Sequence, residues 1–374
     1  MKITHISAGR DRSVALTSDG TAHIWGSVKL LGATLPPGYP GEMCTSNPTE
    51  IGHNRYAQPL PQALNPGQPF ASVADGYLDT WGVLRSGAVL SCRPVVSKTS
   101  GAAQSAMTGL PAGPVQLVLT ESAGFARYAG GAVWSWGMQA NGQLGRPATG
   151  LQVSPAPVAG LSSISALAAG HGHVLALSRS GQVWAWGANA AGQLGTGGLQ
   201  SSHLPTPIKL PARITRIAAG DTHSFAVDDK GQLWGWGANN FGQVGPVANA
   251  LVQASFYSQP QRIQTNFAVA QVDAGMFYSV ATTRQGDVFA WGWNGMGQLG
   301  QGAQSLGFSN QPLRLKNISN ITLLSAGVGH VLAANDAGVL AWGDNRASAC
   351  GAFPSTLVQA LPLCVAGLLT SSLA

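Results

Sequence analysis

Four histidines recur beside glycines and are the first candidates for chemistry in this 374-residue chain. His173, His223 and His330 each lie three residues after a glycine, and His171 lies two residues before His173. Imidazole groups bind metals and transfer protons near neutral pH. His171 and His173 would share one face of a strand, but a metal site needs a third protein ligand, and none lies nearby in the sequence. We therefore predict no metal site. Two interpretations remain: the histidines line a binding surface, or they are buried and hydrogen-bond the backbone of turns.

The sequence carries no recognisable pattern of a catalytic site. It has no Gly-x-Ser-x-Gly turn, no phosphate-binding loop and no His-Glu-x-x-His helix. Its 14 acidic residues show no pairing that suggests acid–base work. The net charge of +6 comes from scarce acids, and no run of Lys or Arg forms the basic stripe of a nucleic-acid groove. We predict a non-enzymatic, cofactor-free protein that does not bind nucleic acid.

Composition indicates a turn-rich β protein. The chain contains 50 glycines and 22 prolines, and only 9% of its residues are charged, whereas 45% are hydrophobic. That much apolar material builds a core, which excludes disorder, and the abundant glycine excludes long helices. The apolar stretch 357–374 is interrupted by Gln359, Pro362 and a Ser/Thr cluster, so we expect no membrane span.

A repeat organises the whole chain. Four segments align without gaps, at 131–145, 181–195, 231–245 and 286–300, and the second of them reads GQVWAWGANAAGQLG. Weaker copies on both sides bring the number of units to seven, with a period of about 50 residues. The reference positions of the seven units are Gly9, Gly76, Thr120, Gly170, Gly220, Gly275 and Gly327.

Each unit reads as about four short strands. In VWAWG (183–187), Trp184 and Trp186 are two residues apart, so a strand places both on one face. HVLAL (173–177) is an apolar run bounded by glycines, and no unit has room for a long helix. Four-stranded units repeated radially form propeller blades. The sequence therefore predicts one all-β domain over 1–374, a seven-bladed β-propeller of about four strands per blade.

Large aromatic residues recur at a fixed place in the units. We interpret them as structural residues that pack adjacent blades together, since each ring buries a large apolar area. The column consists of Trp25, Trp136, Trp186, Trp236, Trp291 and Trp342, with Cys92 in its place in the second unit.

The pattern AAGxxHxxAL, then GxVWAWG, then NxxGQLG resembles the regulator of chromosome condensation repeat. The resemblance covers nearly the whole chain, most clearly 119–343, and the chain is identified as a divergent, bacterial-type member of that family. The family fold is a seven-bladed propeller, typically closed by strands from both chain ends in one blade. The resemblance implies that residues 2–9 and the stretch around 357–363 form that closure.

The family's best-known activity is guanine-nucleotide exchange on a small GTPase, through acidic and histidine side chains on one propeller face. The histidine position is occupied by His173, His223 and His330 but becomes Arg12, Asp79, Ala123 and Tyr278 in the other units. The intact Asp-His pair of the family is missing, because the residue before the histidine position is acidic only at Asp11, where the histidine is lost, and Asp221 lies one place away from it. The wedge insertion expected in the third unit is also missing, so exchange activity is the alternative function here. The plant ultraviolet-B receptor type is excluded, because its Gly-Trp-Arg-His-Thr stretch is absent.

Bacterial propellers of this family that bind other proteins offer a closer parallel. We predict a monomeric protein-binding propeller that uses one end of the ring. Its binding residues are expected among Tyr39, His53, Arg55, Tyr56, His171, His173, Asp221, His223, Tyr278 and His330. The first four of these lie in a proline-rich insertion, residues 27–70, between the first two blades. Long loops in compact domains are often functional, although an idle surface loop is the alternative.

Four cysteines lie near the two ends of the chain. Bridges Cys44–Cys92 and Cys350–Cys364 are one of three possible pairings, and four reduced thiols are the alternative. Low charge and an even number of cysteines favour an extracellular or periplasmic protein over a cytoplasmic one.

Overall fold

The chain folds into seven β-sheets, antiparallel apart from one short parallel pair in the first, in a computed structural model. The structure describes residues 2–30, 50–52, 55–64, 67–77, 79–92, 95–96, 104–139, 141–147, 152–248, 254–302, 307–351 and 357–369. The protein is a seven-bladed β-propeller, and the described residues include no helix. The seven-bladed, all-β prediction is therefore confirmed. By compactness the chain divides into two units, one of residues 1–107, 296–304 and 320–374, the other of residues 108–295 and 305–319.

The first unit contains blades one, two and seven. Blade one comprises β1 Ile3–Ala8, β2 Arg12–Thr17, β3 Ala22–Leu30, β4 Glu50–Gly52 and β5 Arg55–Leu64. Blade two follows with β6 Phe70–Asp75, β7 Thr80–Leu84, β8 Val89–Cys92 and β10 Gln104–Ala106, while β9 Val95–Val96 pairs with β3 of blade one.

The second unit contains four blades of regular design. Blade three is β11 Gln116–Leu119, β12 Ala123–Arg127, β13 Val133–Met138 and β14 Gln152–Pro157. Blade four is β15 Ile164–Ala169, β16 His173–Ser178, β17 Val183–Gly187 and β18 Ser202–Ile208. Blade five is β19 Ile214–Ala219, β20 His223–Asp228, β21 Leu233–Ala238 and β22 Phe256–Arg262. Blade six is β23 Gln271–Ala274, β24 Tyr278–Thr282, β25 Val288–Trp293 and β26 Phe308–Arg314.

Blade seven belongs to the first unit and is β27 Leu323–Ala326, β28 His330–Asn335, β29 Gly338–Asp344 and β30 Val358–Leu369. The shared closing blade was a wrong expectation, because β1 pairs only within blade one and β30 pairs with β29 in blade seven. The two blades instead pack side by side: β1 contacts β27 and β28, and the Ala8 amide donates to Ser325 Oγ. Side-chain and loop contacts link these two blades, and their described strands belong to two separate sheets.

Burial explains why the repeat has its sequence. The second strand of a regular blade, such as β16 or β20, is buried along its whole length. Its two faces are covered by the blades on either side, and its two edges pair with strands of its own sheet. Because both faces are buried, its sequence is a continuous apolar run. The first strands of successive blades contact one another within each unit, as β15 and β19 do, so they lie innermost.

Part of the predicted insertion 27–70 belongs to the sheet of blade one. Residues 55–64 form β5, which pairs with β3 as the fourth strand of blade one. Residues 31–49 lie outside the described residues.

Within the described part of the chain, no helix has the length and hydropathy to cross a bilayer.

Candidate functional site

Blades four and five are joined by a compact set of hydrogen bonds. His173 Nε2 lies 2.8 Å from Ser224 Oγ, and Ser224 Oγ donates to the Gln193 carbonyl at 2.9 Å. Trp236 Nε1 donates to the same carbonyl at 2.8 Å. One strand and one loop of blade four thus bind one strand pair of blade five. We call this set of four residues a junction.

The junction recurs with the same geometry at two other places. It is formed by His223, Ser279, Gln243 and Trp291, and by His330, Ser13, Ala349 and Trp25. The tryptophan bond alone also joins Trp186 to Gln143 and Trp342 to Gln298. Five of the six tryptophans predicted to be structural are completely buried, and Trp136 is 6% exposed.

The loop motif Asn-x-x-Gly-Gln-Leu-Gly positions that carbonyl. Asn189 Nδ2 donates to the carbonyls of Gly198 and Gln200, and Asn189 Oδ1 accepts from the Leu194 amide. Gln193 Oε1 accepts from the Ala191 amide. Because the two side chains satisfy the backbone of their own loop, the Gln193 carbonyl is left to face the next blade.

Serine and histidine are coupled between successive repeats. A histidine occurs only where the next repeat has serine one place after the histidine position. Where the histidine position holds Ala123 or Tyr278, the serine position of the next repeat holds valine, at Val174 and Val331 respectively. The sequence alone shows this correlation when the histidine position of one repeat is compared with the serine position of the next. It cannot be found by comparing one position across all repeats, so it was not predicted.

The three junction histidines are neutral. Burial lowers the pKa of His173 and His223 to about 3 and that of His330 to about 4. Since each serine hydroxyl donates to a carbonyl, it accepts from the histidine, which assigns the proton to Nε2. All three side chains are 0% exposed, and Tyr278 is also fully buried. These four candidates therefore lie beneath the surface, and no docked partner can touch them in this conformation.

An ion pair replaces the histidine between blades one and two. Arg12 occupies the histidine position, and its Nη2 lies 3.0 Å from Asp75 Oδ1. Thr80 Oγ1 donates to the same carboxylate oxygen at 2.6 Å. The two charged side chains are 5% and 0% exposed, so this contact is a buried salt bridge. Arg12 is thus linked through Asp75 to Thr80, which occupies the serine position of the junction.

His171 remains on the surface of the second unit, between two acidic residues. Its Nε2 lies 2.9 Å from Glu121 Oε2, and its Nδ1 lies 3.9 Å from Asp221 Oδ1. The three residues follow the reference positions of blades three, four and five. Backbone bonds from Glu121 to His171 and from Asp221 to Gly275 keep these loops at one end of their blades. We call this the glycine-loop end.

An aromatic cluster lies next to these acids at the glycine-loop end. Phe241, Phe277 and Trp293 are partly exposed, and their ring centroids are 5.3–6.4 Å apart. The Asp221–Gly275 backbone bond connects the two groups, since Gly275 is two residues before Phe277. We call the six residues Glu121, His171, Asp221, Phe241, Phe277 and Trp293 the acidic–aromatic surface. The three aromatic residues were not predicted, because only the fold brings them together.

The other predicted site residues have separate outcomes. Tyr39, His53 and Cys44 lie outside the described residues. Arg55 and Tyr56 begin β5. Among the residues that the structure describes, no group of three or more metal-binding side chains is placed to hold an ion.

The proposed Cys350–Cys364 bridge is wrong. Both thiols are free, with Cys350 buried and Cys364 exposed on β30. The loop Asn345–Gly351 aligns with Asn189–Gly195, so Cys350 occupies the place of the buried Leu194. It serves as a core residue, and burial raises the pKa of its thiol. Cys44–Cys92 lies outside the described side chains and stays a prediction.

Similarity to known proteins agrees with this architecture. The sequence profile of the RCC1-like domain matches residues 39–369, and that of the regulator of chromosome condensation (RCC1) repeat matches residues 3–27. The chain is 35% identical over 95 residues to the probable E3 ubiquitin-protein ligase HERC6 of Homo sapiens, and 32% identical over 80 residues to the ultraviolet-B receptor UVR8 of Arabidopsis thaliana. These matches cover 24% and 21% of this chain but only 9% and 18% of those proteins.

Solved structures show the same fold. Prp20p of Saccharomyces cerevisiae is similar with a TM-score of 0.69 and 21% identity, over 87% of this chain and 80% of that one. Human WBSCR16 is similar with a TM-score of 0.74 and 21% identity, over 92% and 93% of the two chains. The RCC1-like profile and the seven repeated blades lead to one conclusion: the chain belongs to the RCC1-like domain family.

Proposed function

We propose that this chain is a non-enzymatic protein-binding propeller whose docking site is the acidic–aromatic surface. The observation that carries the proposal is that two carboxylates and three partly exposed aromatic rings lie at the glycine-loop end, where the Asp221–Gly275 backbone bond links the two groups. Aromatic side chains are frequent anchors of protein interfaces, and surrounding charges set which partner is accepted.

The chemistry of the surface defines its partner. Glu121 and Asp221 flank His171, and the two carboxylates outnumber the single imidazole, so the surface is acidic. A partner of matching chemistry presents lysine or arginine side chains beside an apolar side chain that packs on Phe277 and Trp293. Cationic groups also bind the faces of aromatic rings directly. The partner is therefore a basic protein surface.

The test compares captured partners from the native compartment. The double variant Glu121→Lys/Asp221→Lys reverses the charge of the docking site, and Asp229→Lys makes the same exchange at an exposed position on the opposite end. We expect wild type and Asp229→Lys to retain the same partner, and the double variant to lose it. Retention by the double variant contradicts the proposal, and so does equal loss in Asp229→Lys.

Guanine-nucleotide exchange on a small GTPase is the second candidate. It is supported by the fold shared with Prp20p, whose structural report concerns binding to Gsp1p and histones. Exchange by this chain predicts faster release of labelled GDP from a GTPase, abolished by Glu121→Lys/Asp221→Lys. Variants of the buried junction histidines would report on folding, so they are unsuitable for this test. A panel of GTPases without stimulation rejects this candidate.

A further inference from the structure

A polar cleft of about 560 Å³ opens at the end of blade five opposite the glycine-loop end. It lies between the turn that joins β20 to β21 and the segment that follows β22. Cavities of this size hold small molecules. The side chains that matter for its chemistry are Lys230, Gln232, Arg262, Gln264, Asn266 and Phe267.

The charge of the cleft is entirely positive. Among the described residues that line it, Lys230 and Arg262 are the charged ones. Neither forms an ion pair with an acidic side chain in the described part of the chain. The amide side chains of Gln232, Gln264 and Asn266 add further hydrogen-bond donors. Two cations and several neutral donors without an acid are suited to a ligand of charge −2.

The walls of the cleft are fixed by the fold. The buried Asp228 carboxylate accepts from the backbone amides of Lys230 and Gln232, both at 2.9 Å, and so holds the turn that carries them. On the other wall, the Ala248 amide donates to the Arg262 carbonyl at 2.8 Å. Asp228 shapes the turn but is not among the residues that line the cleft.

Phe267 adds an aromatic wall. Its ring stacks on Phe289 with centroids 3.8 Å apart and planes 16° apart. One face of Phe267 is therefore covered, and the other face or the edge meets whatever enters the cleft. Thr265 Oγ1 donates to the Phe267 carbonyl at 2.8 Å, which ties down the segment. An aromatic wall beside two cations matches a molecule with a planar body and an anionic group.

We propose that this cleft binds a small organic phosphate, with the phosphomonoester on Lys230 and Arg262 and a planar ring against Phe267. A phosphomonoester carries a charge near −2 at neutral pH, and arginine binds two of its oxygens at once. Nucleotides, sugar phosphates and inorganic phosphate share the anionic group, and only a nucleotide adds a planar base. The site is independent of the docking surface proposed above.

The test is calorimetric titration of the full chain with AMP, ribose 5-phosphate, inorganic phosphate and adenosine. AMP is expected to bind tightest, ribose 5-phosphate and phosphate at least tenfold more weakly, and adenosine not measurably. The double variant Lys230→Gln/Arg262→Gln should lower AMP affinity at least tenfold. The matched control Arg284→Gln, an exposed arginine in the corresponding turn of blade six, should leave it unchanged.

Phe267→Leu separates the two parts of the proposal. It should lower the affinity for AMP and leave the affinity for ribose 5-phosphate unchanged. Absence of AMP binding at millimolar concentration overturns the site, and so does wild-type affinity in the Lys230→Gln/Arg262→Gln variant with an unchanged melting temperature. Equal affinities for AMP and ribose 5-phosphate overturn the role of Phe267.

Discussion

His330 Nε2 lies 2.8 Å from Ser13 Oγ, although 317 residues separate the two in the chain. The contact joins the last blade to the first, and Ser13 Oγ donates a hydrogen bond to the Ala349 carbonyl at 2.8 Å. Trp25 Nε1 reaches the same carbonyl. The closure of the first unit thus uses the same junction that joins blades four and five, with no strand exchanged.

Loss of the junction serine is expected to destabilise the fold. Ser13→Ala removes the acceptor of a buried histidine N–H and one donor to a buried carbonyl, and should cost about 1–3 kcal/mol of unfolding free energy. Chemical denaturation measures it. Ser201→Ala, at an exposed serine, is the control and should stay within about 0.5 kcal/mol of wild type. Equal stability of all three proteins would mean that the junction contributes nothing.

Acid should unfold the protein through its buried histidines. Their folded pKa values of about 3 to 4 lie below the ordinary 6.5. The unfolded chain therefore binds more protons, and stability falls as pH drops below about 6.5 until the folded state is protonated as well. Each histidine contributes about 1.4 kcal/mol per pH unit in that window. His223→Gln should reduce the slope between pH 6 and pH 5 by up to about 1.4 kcal/mol per pH unit, as measured by denaturation at each pH.

Breaking the buried ion pair should cost more than breaking an exposed one. Arg12→Gln leaves the Asp75 carboxylate buried without its cation, and we expect a loss of about 3–5 kcal/mol. Arg346→Gln removes a guanidinium that is 59% exposed beside Asp344, so it should cost under about 1 kcal/mol. Thermal unfolding compares the two variants. Similar costs would show that burial of the Arg12 pair is unimportant.

The thiols of Cys350 and Cys364 should react at very different rates. Cys364 is exposed, whereas Cys350 is completely buried and its thiol pKa is raised. Alkylation of the native protein, followed by mass spectrometry of peptides, should label Cys364 within minutes and Cys350 only after denaturant is added. A peptide in which the two residues are disulfide-linked would refute their free state.

Much of the architecture follows from the repeat. Seven reference positions and the Trp186 column predict seven blades, because each repeated feature packs against an equivalent neighbour. The closure at the chain ends was not predictable from the sequences of β1 and β30 alone. The two strands could equally have shared one blade or belonged to two adjacent blades. The place of Cys350 was readable only after its loop had been aligned with the leucine position.

The surface features needed the fold. Phe241 and Trp293 are 52 residues apart in different repeats, and neither occupies a repeated aromatic position. Lys230 and Arg262 belong to a turn and to a strand end that meet only in the folded blade. Repeats report on what all blades share, and these two sites arise from what single blades do differently.

Each junction takes two of its four residues from one repeat and two from the next, and this limits how such a propeller evolves. His173 and Gln193 come from one repeat, and Ser224 and Trp236 come from the next. A single duplicated or transplanted repeat would meet a neighbour with the wrong complement, for example a valine where its histidine needs a hydroxyl. Recombination that preserves a junction must therefore carry adjoining repeats together, which makes a pair of neighbouring repeats the heritable unit.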